Sequence, residues 1–188
     1  MLGDKYCVSF VPGCPWTTGY HILNAFSKLG IDYEFALPEA AASIKADKYL
    51  FIDSGHVIPI NTPKDKTAIY SIDCYQNELE LYKVWDTRLS WWEDICGKVS
   101  IVFEAFEFGY RWFRRRNVKV VYISMGINED LYYKDDKDKE YDVCFVGGRK
   151  TSGMRGKILD FVGSKFNLHS PTTYGDGLRD AASKSKCF

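Results

Sequence analysis

The sequence has no long apolar run, no excess of either charge and no signal peptide. Nowhere do about 18 apolar residues follow one another, so we expect no membrane-spanning helix. The 25 basic and 25 acidic side chains cancel. Nucleic acid is therefore a disfavoured partner, because proteins that bind it usually carry a clear basic excess. The first residues lack the basic and apolar blocks of a secretory signal, and we expect a cytoplasmic protein.

Motifs of several common sites are also missing. The six cysteines have no C-x-x-C spacing and several lie in apolar segments, so we expect buried, reduced thiols rather than a metal site or disulfides. No G-x-G-x-x-G, P-loop, G-x-S-x-G or H-E-x-x-H motif occurs. These absences argue against a dinucleotide fingerprint, a hydrolase elbow and a zinc site. We expect neither a metal nor another cofactor.

Short apolar segments alternate with longer amphipathic ones along the first two thirds of the chain. Six segments rich in Val, Ile, Tyr and Phe predict strands at 5–10, 31–36, 48–53, 67–73, 99–105 and 118–124. Helical patterns lie at 17–29, 76–95 and 107–116, and most tryptophans fall in them, where core packing is favoured over stacking on bases. Strands that alternate with helices predict a doubly wound, Rossmann-like α/β domain with a parallel sheet over residues 1–133.

A change of composition follows at residues 133–141. This segment, YKDDKDKEY, carries many charges and no aliphatic side chain, so it is either a solvated surface loop or an inter-domain linker. A strand pattern at 141–146 and a helix pattern at 154–166 begin a new βα unit, which favours the linker. We expect a second α/β domain over 141–188 that is incomplete, because roughly 45 residues are too few for an independent core.

Candidate bases follow two of the predicted strands. In open α/β sheets, ligands bind at the carboxyl ends of the strands. Asp53 and His56 stand after the third strand and Asp73 after the fourth. Partial burial raises the pKa of a carboxyl group toward neutrality, which suits a general base, and histidine is the other usual base. The alternative for Asp53 and Asp73 is that each caps a backbone N–H group in a loop.

Two glycine-containing segments are candidate binding loops. The first runs from Gly13 through Thr17 to Gly19 after the first strand. It is either a plain βα turn or a substrate loop with a helix N-terminus facing a polar ligand.

The second segment, Gly147-Gly148-Arg149, is followed by Arg155 at the start of a helix pattern. Glycines let the backbone approach an anion, and arginine supplies paired donors. The alternative is an ordinary surface arginine after a tight turn.

Four segments occur in an order that matches a known family. They are IYSIDC at 69–74, VSIVFEAFEFG at 99–109, NVKVVYISMGINEDLYY at 117–133 and KEYDVCFVGG at 139–148. This order resembles the CgeB-type (spore maturation protein B-like) glycosyltransferases. The resemblance covers residues 66–170 well and residues 1–65 in outline.

The resemblance implies a GT-B enzyme, in which two Rossmann-like domains face a cleft and catalysis needs no metal. The N-terminal domain would hold the acceptor, and the C-terminal domain would bind most of the nucleotide-sugar donor. Carried over by position, Gly147, Gly148, Arg149 and Arg155 would lie near the donor diphosphate. Asp73 matches the strand-end aspartate of the family.

The sequence also departs from the family. The family's second domain continues well beyond position 188, and the late acidic residue that holds the donor ribose has no counterpart here. We therefore expect the N-terminal portion of a glycosyltransferase, which by itself would not transfer sugar. The alternative is a non-catalytic α/β binding module derived from such an enzyme. A flavodoxin-like signalling domain is weaker, because it would need acidic residues at 11–14.

Overall fold

The computed structural model of the protein describes residues 3–12, 18–53, 60–72, 86–124, 126, 137–146, 154–173 and 176–187, with the backbone alone at Asp53 and at 86–91. The chain divides into two compact units, Met1–Gly126 and Ile127–Phe188. Each unit is described by itself. No helix in the described ranges has both the length and the apolar character that a membrane crossing requires.

The first unit is built around one parallel sheet. Its strands are β1 Tyr6–Ser9, β2 Tyr33–Ala36, β3 Lys48–Asp53, β4 Thr67–Ser71, β5 Ile101–Glu104 and β6 Val120–Tyr122. Its helices are α1 Thr18–Lys28, α2 Asp86–Lys98 and α3 Glu107–Arg115, with short 3₁₀ turns at Ala41–Ser43 and Lys64–Lys66. The strand order is β2-β1-β3-β4-β5-β6, and every neighbouring pair is parallel. The predicted α/β fold class and all six predicted strands are confirmed.

Both faces of this sheet are covered by helices. Along β3, Leu50 and Ile52 pack with the apolar residues of α1, whereas Phe51 packs with α2 and α3. Successive side chains of a strand point to opposite faces, so α1 lies on one side of the sheet and α2 and α3 on the other. Trp92 and Phe113 are buried on the α2–α3 side, and their rings meet edge to face at 5.3 Å between centroids. This double burial explains why the strands are apolar at both odd and even positions.

Residues in the left-handed backbone conformation follow α1 and α3. Gly30 after α1 has a φ of 67°, and Asn117 after α3 has a φ of 57°. A residue in this conformation commonly ends a helix, and Gly and Asn adopt it at the lowest cost. Leu29, the last residue of the helix predicted at 17–29, lies beyond the end of the observed helix. The helix ends at Lys28, and the Leu29 side chain is 73% exposed.

The second unit has a smaller parallel sheet. Its elements are β7 Tyr141–Cys144, α4 Met154–Gly163, β8 Leu168–His169, α5 Asp176–Ser183 and β9 Ser185–Cys187, and the strand order is β8-β7-β9. Parallel strands alternate with helices here, as the pattern beyond residue 141 predicts, and β8 is an addition that the sequence pattern did not indicate. Residues 137–140 of the charged segment are exposed, as predicted for them.

The cysteines in the described residues only partly match the expectation of buried thiols. Cys7 and Cys144 are buried and Cys96 is half-buried, whereas Cys187 is exposed. All four are free thiols. The exposure of Cys187 follows from its place at the end of β9, which pairs with β7 on one side only among the described strands.

Candidate functional site

The strand order of the first unit places a switch point between β1 and β3. The chain moves from β1 outward to β2 and then returns to β3 on the other side of β1. Ligands of doubly wound sheets bind at such a point, beyond the carboxyl ends of the strands. β1 ends at Ser9 and β3 ends at Asp53, so these two residues flank the switch point. Of the predicted loop residues Gly13, Thr17 and Gly19, only Gly19 is described, and its buried backbone lies against the Phe10 ring.

Several predicted site residues lie outside the described residues. They are Gly13, Thr17, His56, Asp73, Gly147, Gly148 and Arg149. Their predicted roles stay predictions.

Three strand ends form one row across the carboxyl edge of the first sheet. Asp53 on β3 is in register with Ser71 on β4, and Ser71 is in register with Glu104 on β5. Ser71 and Glu104 are both fully buried. They lie two residues after Ile69 and Val102, which belong to the core on the α2–α3 side, so they point toward that same side. A carboxylate and a hydroxyl group therefore end neighbouring strands on one face.

Glu104 is a candidate site residue that the sequence analysis missed. Its Oε1 accepts a hydrogen bond from the backbone N–H of Phe106 at 3.1 Å, and a Cβ atom at Gly109 would overlap its carboxyl group. The carboxylate thus lies over the first turn of α3, where the helix dipole favours a negative charge. Two roles fit this position: a cap that stabilises α3, and an acidic group that acts on a ligand at the sheet edge. Removing a carboxylate from water costs several kcal/mol, which is a large cost for a group that only caps a helix.

The charge of Glu104 reaches at least one neighbouring side chain. Burial raises the pKa of the Tyr70 phenol, and the negative charge of Glu104 raises it further. Tyr70 lies on β4 beside Phe103 of β5, on the face that α1 covers. The electrostatic effect of Glu104 therefore extends through the sheet to its other face.

Ser9 is the second residue that the sequence analysis missed. Its side chain is fully buried at the end of β1, and its Oγ has no hydrogen-bond partner among the described residues. A buried polar atom left without a partner costs about 1–3 kcal/mol. Ser9 is in register with Phe51, so its hydroxyl is on the same side of the sheet as Ser71 and Glu104. A ligand hydroxyl that reached the switch point would give it a partner.

No protein-family model matches this chain, and no curated protein matches it.

The strand ends of the second unit differ in charge from those of the first. From Phe145 to Lys157 the sequence contains four basic residues, Arg149, Lys150, Arg155 and Lys157, and no acidic residue. This segment connects β7 to α4, so its described end is a helix N-terminus with added positive charge.

Arg155 lies in the first turn of α4. Its guanidinium carbon is 5.8 Å from the centre of the Phe145 ring, within the range of a cation–π interaction. Phe145 in turn donates its backbone N–H to the carbonyl oxygen of His169 at 2.9 Å. These contacts place Arg155 beside the carboxyl ends of β7 and β8, where a phosphate group would meet both its guanidinium and the N–H groups of the helix.

An open groove of about 580 Å³ in the second unit is not part of this edge. It is lined by Leu159, Gly163 and Phe166, at the C-terminal end of α4. The groove begins at Leu159, about 6 Å along the helix axis from Arg155, and extends from there toward the C-terminal end of α4. Within the described ranges, no three His, Cys, Asp or Glu side chains are grouped so that they could hold a metal ion.

Proposed function

We propose that this chain is a glycosyltransferase-like protein of the GT-B type, which moves a sugar from a nucleotide-sugar donor to an acceptor. The second unit would hold the donor diphosphate and the first unit the acceptor. One observation carries the proposal: the segment between β7 and the second turn of α4 has four basic residues and no acidic one, and it leads into a helix N-terminus. That combination suits a diphosphate.

The chemistry follows from where charge develops. In the transfer, the bond between the sugar carbon and the diphosphate oxygen breaks, and a bond to the acceptor oxygen forms. The diphosphate leaves with additional negative charge, which Arg155, Arg149 and the N–H groups at the start of α4 would stabilise. The acceptor hydroxyl loses its proton to a base, for which Asp53, His56 and Asp73 are the candidates.

Donor binding is the first test. Saturation-transfer NMR would measure the binding of UDP-glucose, GDP-mannose and dTDP-glucose, with uridine as a ligand that lacks phosphate. We expect binding of at least one donor with a dissociation constant weaker than about 1 μM, because a three-stranded unit offers few contacts. Uridine is not expected to bind measurably.

A pair of variants tests whether the β7–α4 segment is the donor site. Arg155→Gln removes a cation at the start of α4, and Lys165→Gln removes an exposed cation just beyond its end. A hydrogen bond to a charged group contributes about 1.5–3 kcal/mol, so Arg155→Gln should weaken donor binding roughly tenfold or more. Lys165→Gln should leave it unchanged. The proposal fails when no donor binds, or when the two variants behave alike.

Turnover would separate an enzyme from a binding module. Incubation with a donor that binds, followed by mass spectrometry, would detect release of the nucleoside diphosphate. If Asp73→Asn still binds the donor but no longer releases the nucleoside diphosphate, the result supports catalysis with Asp73 as the base. Donor binding without any release favours the non-catalytic module.

A further inference from the structure

The outward face of α4 carries a row of large apolar side chains. Met154, Ile158 and Phe161 are 74%, 54% and 65% exposed, and their spacing at i, i+4 and i+7 places them along one side of the helix. Gly156 and Leu159, on the opposite side, are buried. We refer to Met154, Ile158 and Phe161 as the apolar face of α4. A helix that covers a sheet normally presents polar side chains to solvent, so this face points to a partner.

Cations border the apolar face on both sides. Residues three or four positions apart are neighbours on the surface of a helix. Lys157 is therefore a neighbour of Met154 and Phe161, and Arg155 is a neighbour of Ile158. Both basic side chains are exposed. An apolar stripe bordered by Lys and Arg is the pattern of a helix that lies at a membrane surface.

The helical turn continues far enough to add a third cation. The N–H group of Phe166 donates to the carbonyl oxygen of Val162 at 2.9 Å, with the spacing of an α-helix. Lys165 therefore follows Phe161 by one further turn, in line with the apolar face, and it is exposed. Asp160, the acidic residue of α4, is three or four positions from none of the three apolar residues. The surroundings of the apolar face are therefore basic.

A second copy of this chain does not suit this surface. Three partly exposed side chains offer on the order of a few hundred Å², whereas a specific protein interface needs roughly 800 Å² from each partner. A symmetric pair would also bring the same surface of both copies together. Arg155 and Lys157 would then meet the same cations of the second copy, and like charges oppose such a contact.

An anionic lipid surface matches both properties of α4. Lipid phosphates supply negative charge for the cations, and the boundary between headgroups and acyl chains accepts apolar side chains to a depth of about 5–10 Å. A nucleic acid would satisfy the cations and leave the apolar face in water. The apolar face is also the convex surface of one helix, which fits a flat, deformable surface rather than a peptide that needs a groove.

We propose that the second unit binds anionic membrane surfaces through α4. The side chains of Met154, Ile158 and Phe161 insert among the headgroups, and the flanking cations pair with lipid phosphates. The ten residues of α4 cover about 15 Å, so the helix lies in the plane of the surface and does not cross it. The proposal does not rest on the proposed function, since neither donor nor acceptor enters the argument.

Binding to vesicles of two compositions tests the proposal. Sucrose-loaded vesicles of phosphatidylcholine alone, and of phosphatidylcholine with one third phosphatidylglycerol, would be sedimented with the full chain. We expect at least about tenfold stronger binding to the anionic vesicles, because each Lys or Arg near such a surface strengthens binding severalfold. Added salt should weaken this binding, because ions screen charges. No binding to the anionic vesicles, or equal binding to both kinds, would overturn the proposal.

A pair of phenylalanine variants tests insertion of the apolar face. Phe161→Gln should weaken binding to anionic vesicles about fivefold or more, because the aromatic ring no longer leaves water on binding. Phe108→Gln is the matched control, since Phe108 is an exposed phenylalanine on α3 of the first unit, and it should bind as the wild type does. Both side chains are exposed, so neither change should unfold the chain, which circular dichroism checks. Equal vesicle binding by the two variants contradicts insertion of the apolar face.

Three lysine variants test the contribution of charge. Lys157→Gln and Lys165→Gln should each weaken binding to anionic vesicles about fivefold. Lys45→Gln removes an exposed cation of the first unit and should leave the binding unchanged. Equal losses in all three variants would mean that the net charge of the chain, rather than α4, governs binding, and the proposal would then be wrong.

Two further measurements separate the proposal from its alternatives. Light scattering during size-exclusion chromatography should show a monomer, and a dimer that Phe161→Gln dissociates would assign the apolar face to a second copy instead. UDP-glucose binding is measured in the same samples. Vesicle binding without donor binding contradicts the glycosyltransferase proposal and leaves the membrane proposal standing. Donor binding without vesicle binding shows that the membrane proposal alone is wrong.

Discussion

A substitution at Gly109 tests the position of the buried Glu104 carboxylate most directly, because a side chain at Gly109 would need the space that this carboxylate fills. A Cβ atom at Gly109 would overlap the carboxyl group of Glu104, which is fully buried. A glycine-to-alanine change inside a helix normally stabilises a protein by roughly 0.5–1 kcal/mol. Overpacking of a filled interior costs about 1–3 kcal/mol. We expect Gly109→Ala to lower the free energy of unfolding, by up to about 2 kcal/mol when the overlap cannot relax.

The chain supplies a matched control in Gly97. This residue lies in α2, and a Cβ atom there would meet nothing within 4 Å. Gly97→Ala should therefore be neutral or stabilising, and the two variants should differ by about 1–3 kcal/mol. For a chain of this size each kcal/mol corresponds to about 2–4 °C in Tm. Urea unfolding followed by fluorescence is a suitable assay, because Trp92 and Trp112 are both buried.

A double variant tests whether Glu104 is the residue that the new Cβ atom at position 109 overlaps. Glu104→Ala removes the carboxyl group, so Gly109→Ala in that background should cost less than in the wild type. Residues in contact usually show coupling of about 0.5–3 kcal/mol. The reasoning is refuted when Gly109→Ala is as stable as Gly97→Ala, or when the double variant shows no coupling.

Two further predictions concern pH and a surface cation. Burial raises the pKa of Cys7 and Cys96 to about 11, from 9.0. Between about pH 9 and 11 the folded chain keeps thiol protons that the unfolded chain releases, so the free energy of unfolding should fall as pH rises through this range. The fall should be less steep in Cys7→Ala. Urea titrations at several pH values measure it, and an equal pH dependence in the variant and the wild type contradicts the prediction. The Arg116 guanidinium lies 3.7 Å from the centre of the Trp112 ring. Arg116→Gln should lower the free energy of unfolding by about 0.5–1 kcal/mol. Arg115 is exposed, so Arg115→Gln should lower it by less than about 0.5 kcal/mol. Equal urea midpoints for the two variants would exclude a contribution from the contact of Arg116 with Trp112.

The fold was predictable because burial on two faces leaves a clear record in the sequence. Strands such as β3, with Leu50, Phe51 and Ile52 in succession, read as short unbroken apolar segments. The alternation of such segments with helical patterns is enough to predict a parallel sheet. Helix ends were harder to predict. Leu29 fits the apolar periodicity of α1, yet Gly30 adopts a positive φ and the chain leaves the helix one residue earlier.

The site was less predictable, because burial of a polar residue depends on the tertiary structure. The segment FEAFEFG contains two glutamates three positions apart. Glu104 is fully buried at the end of β5, whereas Glu107 is exposed and pairs with Arg111. The residue type and the spacing alone do not show which of the two is buried. The rule that singled out Asp53 and Asp73, a carboxylate at a strand end, would have identified Glu104 had it been applied to the fifth strand.

The strand order also constrains how the sheet can assemble. Neighbouring parallel strands cannot be joined by a hairpin, so no pair in this sheet forms from a short local segment. β1 is made first, yet it lies inside the sheet and acquires its second neighbour only when β3 has been synthesised. From β3 onward each strand pairs with the next one in the sequence, so the sheet can extend toward β6 in the order of synthesis. In the order of synthesis, β1 can pair with β2 before β3 completes the switch point, and the row of Asp53, Ser71 and Glu104 is complete only once β5 has been added.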